Sequence, residues 1–236
     1  MWTTKKGSAS GFAVNNRARL AGFLYFLLFP TTGVWFALTG ALTAGTINRT
    51  RLQLAIVAGA FGFVDFLILG VVLYQLFSPA AKTAAGILLA LVVASATLSL
   101  AVVARQMDVL SMLDDRAPQQ VTLALRSATN LFLITDIFSG LWLLPLGWLG
   151  MRSGLLPRAI GYALMAGSVF YVATFVGTVV DPAYASTLAG RAIGIVSGVP
   201  GFLGEVGTMF WLMIFGARTQ RATVAAAQPA GSLSDL

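Results

Sequence analysis

Apolar residues fill six long runs of the chain, and polar residues collect in the short segments between them. Each run is long enough to cross a hydrocarbon core of about 30 Å as a helix that rises about 1.5 Å per residue. The strands of a membrane β-barrel alternate between apolar and polar residues, and these runs do not. The pattern therefore predicts an all-α membrane protein, a six-helix bundle with spans at Leu20–Leu42, Leu52–Phe77, Ala84–Ala104, Leu131–Met151, Ala159–Val180 and Ile193–Ala217.

The overall composition supports the same class. Of the 236 residues, 58% are hydrophobic and 10% are charged, and the mean hydropathy is +0.86. A soluble domain carries about 25% charged residues, so an ordinary cytosolic globule is excluded. There is no cysteine and no histidine, which excludes disulfides, thiolate or imidazole metal sites and a serine–histidine triad. The chain also lacks the glycine motifs that bind phosphates or dinucleotides, and we predict neither a cofactor nor a bound metal.

The basic residues indicate how the chain crosses the membrane. If the N-terminus lies inside, most of the 15 Lys and Arg residues fall in inner segments, as the positive-inside rule requires. The outer loop Gln106–Gln120 offsets its positive charge with aspartates. We therefore predict a cytoplasmic tail at 1–17, a six-helix transmembrane domain at 18–217 and a disordered cytoplasmic tail at 218–236. The net charge of +7 then indicates contact with anionic membrane lipids, because a nucleic-acid surface would need clustered basic and aromatic residues.

The two halves of the chain resemble each other weakly. One shift of the sequence aligns Gly33 with Gly140 and Trp35 with Trp142. Three spans in each half would give the halves opposite topology, which is typical of many transporters. The pattern is compatible with a 3+3 inverted repeat, although a shared apolar composition explains it more simply.

Three carboxyl groups lie inside predicted spans, namely Asp65 in span two, Asp136 in span four and Glu205 in span six. A charged side chain at the centre of a membrane helix costs at least about 2.5 kcal/mol, so such residues usually face the bundle interior and serve a function. No Lys or Arg lies at a comparable depth, so burial favours the neutral acid. We predict that these three acids form the catalytic or proton-transferring set. The alternative is that they only pack helices through hydrogen bonds.

Span six contains a second unusual feature, the sequence Pro200-Gly201 near its centre. Proline removes a backbone donor and its ring clashes with the carbonyl four residues earlier, so we expect a broken helix here. Freed carbonyls beside a membrane-embedded acid are how discontinuous helices build binding sites. We therefore assign Pro200 and Gly201 to a substrate-binding site. Close packing of a small-residue face at Gly194 and Gly198 is the competing explanation.

Two aromatic residues complete the predicted substrate-binding set, Trp142 and Tyr25. Their rings are suited to line a pocket and to stabilise a cation over their faces. Trp148 and Trp211 lie near predicted span ends, where tryptophan gathers at the membrane interface for ordinary reasons.

Three stretches of the chain carry a family resemblance. They are Arg19–Tyr25, the segment from Trp142 to Gly161, and Gly204-Glu205 with Trp211 and Gly216. Together they resemble a family of bacterial polytopic membrane proteins named domain of unknown function four-three-eight-six. The resemblance implies a multi-pass protein of the bacterial inner (plasma) membrane, with both termini in the cytoplasm by the charge bias. It implies no activity.

Three functional classes remain open. A proton-linked carrier of a small or lipophilic solute fits the acids, the predicted helix break and the weak repeat. A membrane-embedded acid–base enzyme on a lipid or prenyl substrate, such as a terpene-type cyclase, fits the same acids with aromatic walls. A non-catalytic assembly or regulatory subunit fits if the acids only pack helices. The expected partners are membrane lipids and a small lipophilic or neutral ligand.

Overall fold

A computed structural model describes residues 6–40, 47–113 and 118–216, and within them the side chains from residue 14 onward except that of Pro118. Every element in these ranges is helical. The helices are α1 (Lys6–Thr39), α2 (Arg49–Phe77), α3 (Lys82–Met112), α4 (Pro118–Leu141), α5 (Leu143–Arg152), α6 (Arg158–Val180), α7 (Leu188–Ile193) and α8 (Val199–Ile214). A single 3₁₀ turn, Tyr184–Ser186, lies between α6 and α7.

Six of the helical segments are long and apolar enough to cross a membrane. Helices α4 and α5 together form one of them, and α7 and α8 form another. This confirms the predicted all-α six-helix architecture of a multi-pass membrane protein. The spans are Val14–Thr39, Arg49–Phe77, Lys82–Met112, Gln119–Arg152, Arg158–Val180 and Leu188–Ile214.

The six spans pack as a closed ring. Helices α1, α2, α3 and α4 contact one another in chain order, α4 contacts α6, and α6 contacts α8. The ring closes because α8 returns to α1. A large apolar cluster fills the interior and includes the fully buried side chains of Tyr25 on α1, Leu69 on α2, Leu164 on α6 and Leu212 on α8. The ring therefore encloses side chains from the first and last spans together.

The predicted outer loop Gln106–Gln120 is mostly helical. Helix α3 continues to Met112 and α4 begins at Pro118, while Asp114 and Asp115 lie outside the described residues. Gln106 is buried, and its Oε1 accepts a hydrogen bond from Trp35 Nε1 at 3.0 Å. A polar side chain that is satisfied by a neighbouring helix does not need water, so the helix does not end at it.

The helix at the N-terminus begins earlier than predicted. It starts at Lys6, within the segment 1–17 that the sequence assigns to a polar tail, and its membrane-crossing part starts at Val14. Residues 1–5 and the predicted disordered tail 218–236 lie outside the described residues.

The last span is continuous, and the predicted helix break is wrong. A π-helical turn, Gly194–Gly198, joins α7 to α8. There the backbone N–H of Val199 donates to the carbonyl of Gly194, five residues earlier. The π turn is wider than an α-helical turn, and such turns occur as single insertions in helices, often at functional sites. Pro200 therefore follows a local widening, and the backbone around it stays helical.

The fourth span has an interruption of one residue at Trp142, between α4 and α5. Pro145 follows three residues later and clashes with the carbonyl of Leu141 in a regular helix. Hydrogen bonds from Trp142 to Phe138 and from Leu146 to Trp142 nevertheless carry the helical pattern across the interruption. The indole of Trp142 is thereby placed at a bend, directed into the ring.

Helices α6 and α8 approach each other through glycine. A methyl group on Gly167 would lie 2.7 Å from the Cα of Gly201, and one on Gly204 would lie 2.7 Å from the backbone nitrogen of Leu164. Both distances are too short for a real side chain. At these two points the contact is therefore between backbones.

Many serine and threonine hydroxyl groups in the spans bond to the backbone of their own helix. Thr31 Oγ1 donates to the carbonyl of Leu27, and Thr32 Oγ1 donates to that of Leu28. Other hydroxyls donate to the carbonyl four residues earlier in the same way, among them those of Ser99, Thr135, Ser197 and Thr208. None of these six groups needs a partner on another helix.

Candidate functional site

Glu205 and Tyr25 form a contact between the last and first spans. The hydroxyl of Tyr25 on α1 donates a hydrogen bond to Glu205 Oε2 on α8 at 3.2 Å. Tyr25 is completely buried, and its ring lies between those of Phe29 and Trp142, each with a centroid distance of 5.8 Å. Three residues of the predicted site, Glu205, Tyr25 and Trp142, thus meet at one place inside the ring.

A cavity of about 390 Å³ lies beside this contact, between α1, α6 and α8. Gly201 is in its wall, and the adjacent Pro200 is not. Glu205 is the acidic residue of the wall, and the remaining surface is largely aromatic or glycine. The lining residues are Leu28, Phe29, Thr32, Gly33, Phe36, Gly167, Phe170, Tyr171, Gly198, Gly201, Phe202 and Glu205.

A smaller cavity of about 130 Å³ adjoins it deeper in the ring. Its walls include Asp136, Trp142 and Glu205, so two of the three predicted acids face one space. The two cavities share Leu28, Thr32, Phe36, Tyr171 and Glu205. The Glu205 carboxyl group therefore belongs to both cavities.

Asp65 lies apart from this arrangement. It is partly buried on α2 and is absent from the walls of both cavities. Its Oδ2 atom is buried and accepts no hydrogen bond from any described residue. The structure thus brings Asp136 and Glu205 together and leaves Asp65 outside the set.

Two polar features of the site lie beyond what we predicted from the sequence. Tyr171 on α6 lines both cavities, and Ser95 on α3 lies 2.8 Å from Ser139 on α4, oxygen to oxygen, in the wall of the smaller one. A sequence signal for Tyr171 exists, since it lies near the middle of the fifth span rather than at an interface. Tyrosine gathers at the membrane interfaces, so a central one indicates an interior role.

The charges of the site are all of one sign. Among the described lining residues of the two cavities, Asp136 and Glu205 are acidic and no Lys or Arg is present. Membrane-embedded acids of this kind mark proton relays and ligand pathways, and aromatic faces attract cations. The arrangement is suited to hold a proton or a cationic group between two carboxyl groups in apolar surroundings.

The predicted interfacial role of two other tryptophans is consistent with their contacts. Trp148 is half-exposed with the guanidinium carbon of Arg152 4.9 Å from its ring centroid. Trp211 Nε1 donates to the carbonyl of Leu155 at 2.8 Å, in the turn between α5 and α6. Neither residue lines the two cavities.

Comparison with known proteins gives a family and no activity. The family model described as domain of unknown function (DUF4386) matches residues 20–216. The chain therefore belongs to this family, which confirms the resemblance found in the sequence. No curated protein and no solved structure matches the chain.

Proposed function

We propose that this member of the DUF4386 family is a proton-linked carrier of a small lipophilic solute. The observation that carries the proposal is the position of Glu205, whose carboxyl group lies in the wall of two adjoining aromatic cavities inside the ring. One group that both cavities share can exchange a proton for a solute. The nearby Asp136 supplies a second proton-holding group in the smaller cavity.

In this proposal the hydrogen bond between Tyr25 and Glu205 stabilises the empty carrier. When Glu205 is ionised, the phenol hydroxyl donates to it, as in the observed geometry at 3.2 Å. When Glu205 takes up a proton, its own hydroxyl can donate to an acceptor in the cavity. A neutral carboxyl group still accepts from the phenol, but the hydrogen bond is stronger when Glu205 is ionised. A hydrogen bond whose strength depends on the proton couples the proton to the conformation of the site.

The contact between α6 and α8 favours a carrier over a fixed scaffold. These helices meet backbone to backbone at Gly167 and Gly201. Shear motions of packed helices proceed by small sliding displacements. Sliding of α8 along α6 would move Glu205 relative to Asp136, and would thereby change which cavity holds the solute.

For the placement of the chain, we propose the bacterial plasma membrane with both termini in the cytoplasm. The bias of basic residues towards one set of segments supports this orientation. In this arrangement 18–217 forms the transmembrane domain, and 1–17 and 218–236 lie on the cytoplasmic side. Reporter fusions at Gly154 and after Arg218 are expected to report the cytoplasm, and a fusion at Asp114 the outside. A cytoplasmic signal at Asp114 would contradict the orientation.

The function is tested in proteoliposomes that contain the pH dye pyranine. A gradient of ethidium, tetraphenylphosphonium or chloramphenicol is applied, and proton movement is followed in the lumen. Wild type is expected to move protons with at least one of these solutes, and Glu205→Gln is expected to move none. The Gln variant keeps the size of the side chain and its ability to accept from Tyr25.

The matched control is Gly86→Ala on α3, where a methyl group meets open space. It is expected to behave like wild type. A Glu205→Gln variant that still couples protons to the solute would refute the proposal.

A further inference from the structure

Helices α1 and α8 touch at one end of the ring and separate towards the other. A methyl group on Gly22 would overlap the backbone of Met213 and would lie 2.9 Å from the carbonyl carbon of Leu212. Further along, the rings of Phe29 and Phe202 lie 6.0 Å apart. At Gly33 an added methyl group would have no described atom within 4 Å. The helices therefore diverge in the direction of Gly33.

Where helix α8 separates from α1, it packs against α6. An added methyl group on Gly201 would overlap the backbone of Gly167, and one on the preceding π turn at Gly198 would lie 3.0 Å from the ring of Phe170. The gap between α1 and α8 is thus bounded on one side by α6. The 390 Å³ cavity lies in this gap.

The gap lies within the membrane-spanning parts of α1 and α8 and runs from the middle of the last span towards the end of α1 at Thr39. Gly201 follows the first residue of its span, Leu188, by about 20 Å of helix, at about 1.5 Å per residue. Two aromatic residues of the cavity wall face outward along the gap. Phe202, next to Gly201, is 59% exposed, and Phe36, about 4.5 Å of helix before the end of its span at Thr39, is 50% exposed. An opening at this depth, between two membrane-spanning helices, faces lipid chains rather than water.

The acidic and aromatic side chains of the cavity wall favour one class of lipid-soluble ligand. An anion would be repelled by Glu205 or Asp136 whenever either carboxyl group is ionised. A neutral hydrocarbon would fill the aromatic surface but would leave the ionised carboxyl group of Glu205 without a counter-charge. A cation with a large apolar body satisfies both parts, because aromatic faces and carboxylates attract positive charge.

We infer that the gap between α1 and α8 is a lateral entrance through which a lipophilic organic cation passes from the bilayer into the cavity. This inference deepens the proposed carrier function and rests on it for the later transport step. The entrance itself is defined by Gly33 and Phe36 on α1 and by Phe202 on α8. Glu205 lies behind it as the binding acid.

The ligand class is tested with two probes of equal shape and opposite charge. Tetraphenylphosphonium and tetraphenylborate are bound to the protein in lipid nanodiscs, and empty nanodiscs are subtracted. Wild type is expected to bind the cation at least about tenfold more tightly than the anion, as a desolvated cation over aromatic faces does. Glu205→Gln is expected to lose this preference. Equal binding of the two probes by wild type would overturn the assignment of the ligand.

The entrance is tested by a size series at Gly33, comprising Gly33→Ala, Gly33→Leu and Gly33→Trp. A residue that only narrows a passage slows entry and exit equally, so both rates for tetraphenylphosphonium are expected to fall about tenfold in Gly33→Trp while Kd stays nearly constant. The control is Gly86→Trp, which places the same ring in open space on α3. If Gly33→Trp does not fold, Gly33→Leu gives the same comparison at smaller amplitude.

The outcomes separate this inference from the carrier proposal. Unchanged rates across the series, or a loss of affinity through faster dissociation alone, would overturn the lateral entrance. Tight, Glu205-dependent binding of the cation without any proton movement would support the entrance and the ligand class, and would refute the carrier. Proton movement with a solute that is insensitive to Gly33→Trp would support the carrier and refute the entrance.

Discussion

Two hydrogen bonds from described side chains of helix α1 to side chains of other spans differ in one chemical respect. Trp35 donates to the amide oxygen of Gln106 on α3 at 3.0 Å, and Tyr25 donates to the carboxyl group of Glu205 on α8 at 3.2 Å. In the first contact neither partner changes its charge near neutral pH. In the second the acceptor is an acid that also lines two cavities. The same kind of bridge thus fixes helices where its acceptor is an amide, and can respond to protons where its acceptor is a carboxyl.

The largest effect is expected from a substitution of Glu205, the acid in the contact with Tyr25. Glu205→Gln removes the exchangeable proton and is expected to lower solute-driven proton movement by about 100-fold or more, the usual scale for a lost acid–base group. Melting in detergent is expected to change little. Glu205→Leu leaves Tyr25 without its acceptor and is expected to cost about 1–3 kcal/mol of stability as well. Equal melting temperatures for the Gln and Leu variants would show that the hydrogen bond does not contribute to stability.

The first contact is expected to affect stability alone. Gln106→Leu leaves the buried indole N–H of Trp35 unpaired, which costs about 1–2 kcal/mol. Proton movement per folded molecule is expected to stay at the wild-type level. Detergent melting of Gln106→Leu, Trp35→Phe and the double variant checks this, because the losses should not add if the two groups interact. Reduced transport per folded molecule in Gln106→Leu would remove the distinction between the two contacts.

Tyr25→Phe sharpens the comparison because it removes a donor and keeps the ring between Phe29 and Trp142. The expected loss of stability is about 0.5–1.5 kcal/mol, the net value of a typical hydrogen bond. Proton movement is expected to slow without vanishing, since Glu205 still holds its proton. A Tyr25→Phe variant as inactive as Glu205→Gln would mean that the phenol itself takes part in proton transfer.

The smallest effect on stability is expected at Pro200. Pro200→Ala restores a backbone donor and favours regular α-helix, so expression and melting are expected to be equal to or slightly above wild type. The π turn before it is expected to contract, which shifts Gly198 in the cavity wall and slows transport. A variant that merely becomes unstable, with normal transport per folded molecule, would show that the turn has no part in the site.

The number of spans follows from the sequence, whereas the rotation of each helix does not. Hydropathy identifies the spans because about 20 apolar residues are needed to cross the core. A helix that is apolar all round gives no signal for which face meets lipid and which meets protein. This is why Asp136 and Glu205 were expected beside Asp65, which instead lies outside the cavities.

The local backbone geometry could not be predicted from the sequence either. Pro200 indicates an irregular helix, but a break and a π turn both fit the sequence there, and the structure has the π turn. Glutamine is a polar residue that the sequence assigns to a loop. Its hydrogen bond with Trp35 shows that Gln106 lies inside the bundle. The weak 3+3 repeat stays a prediction.

The hydroxyl groups that bond to their own helices have a consequence for biogenesis. In each case the acceptor is a backbone carbonyl of the same helix. The residues are Thr31, Thr32, Ser99, Thr135, Ser197 and Thr208. Each span can therefore leave the translocation channel for the lipid as a separate helix, before any neighbour has been synthesised, with these polar groups already satisfied. Membrane helices are inserted first and associate afterwards. The contact between Tyr25 and Glu205 must then form last, when the final span emerges from the ribosome and closes the ring.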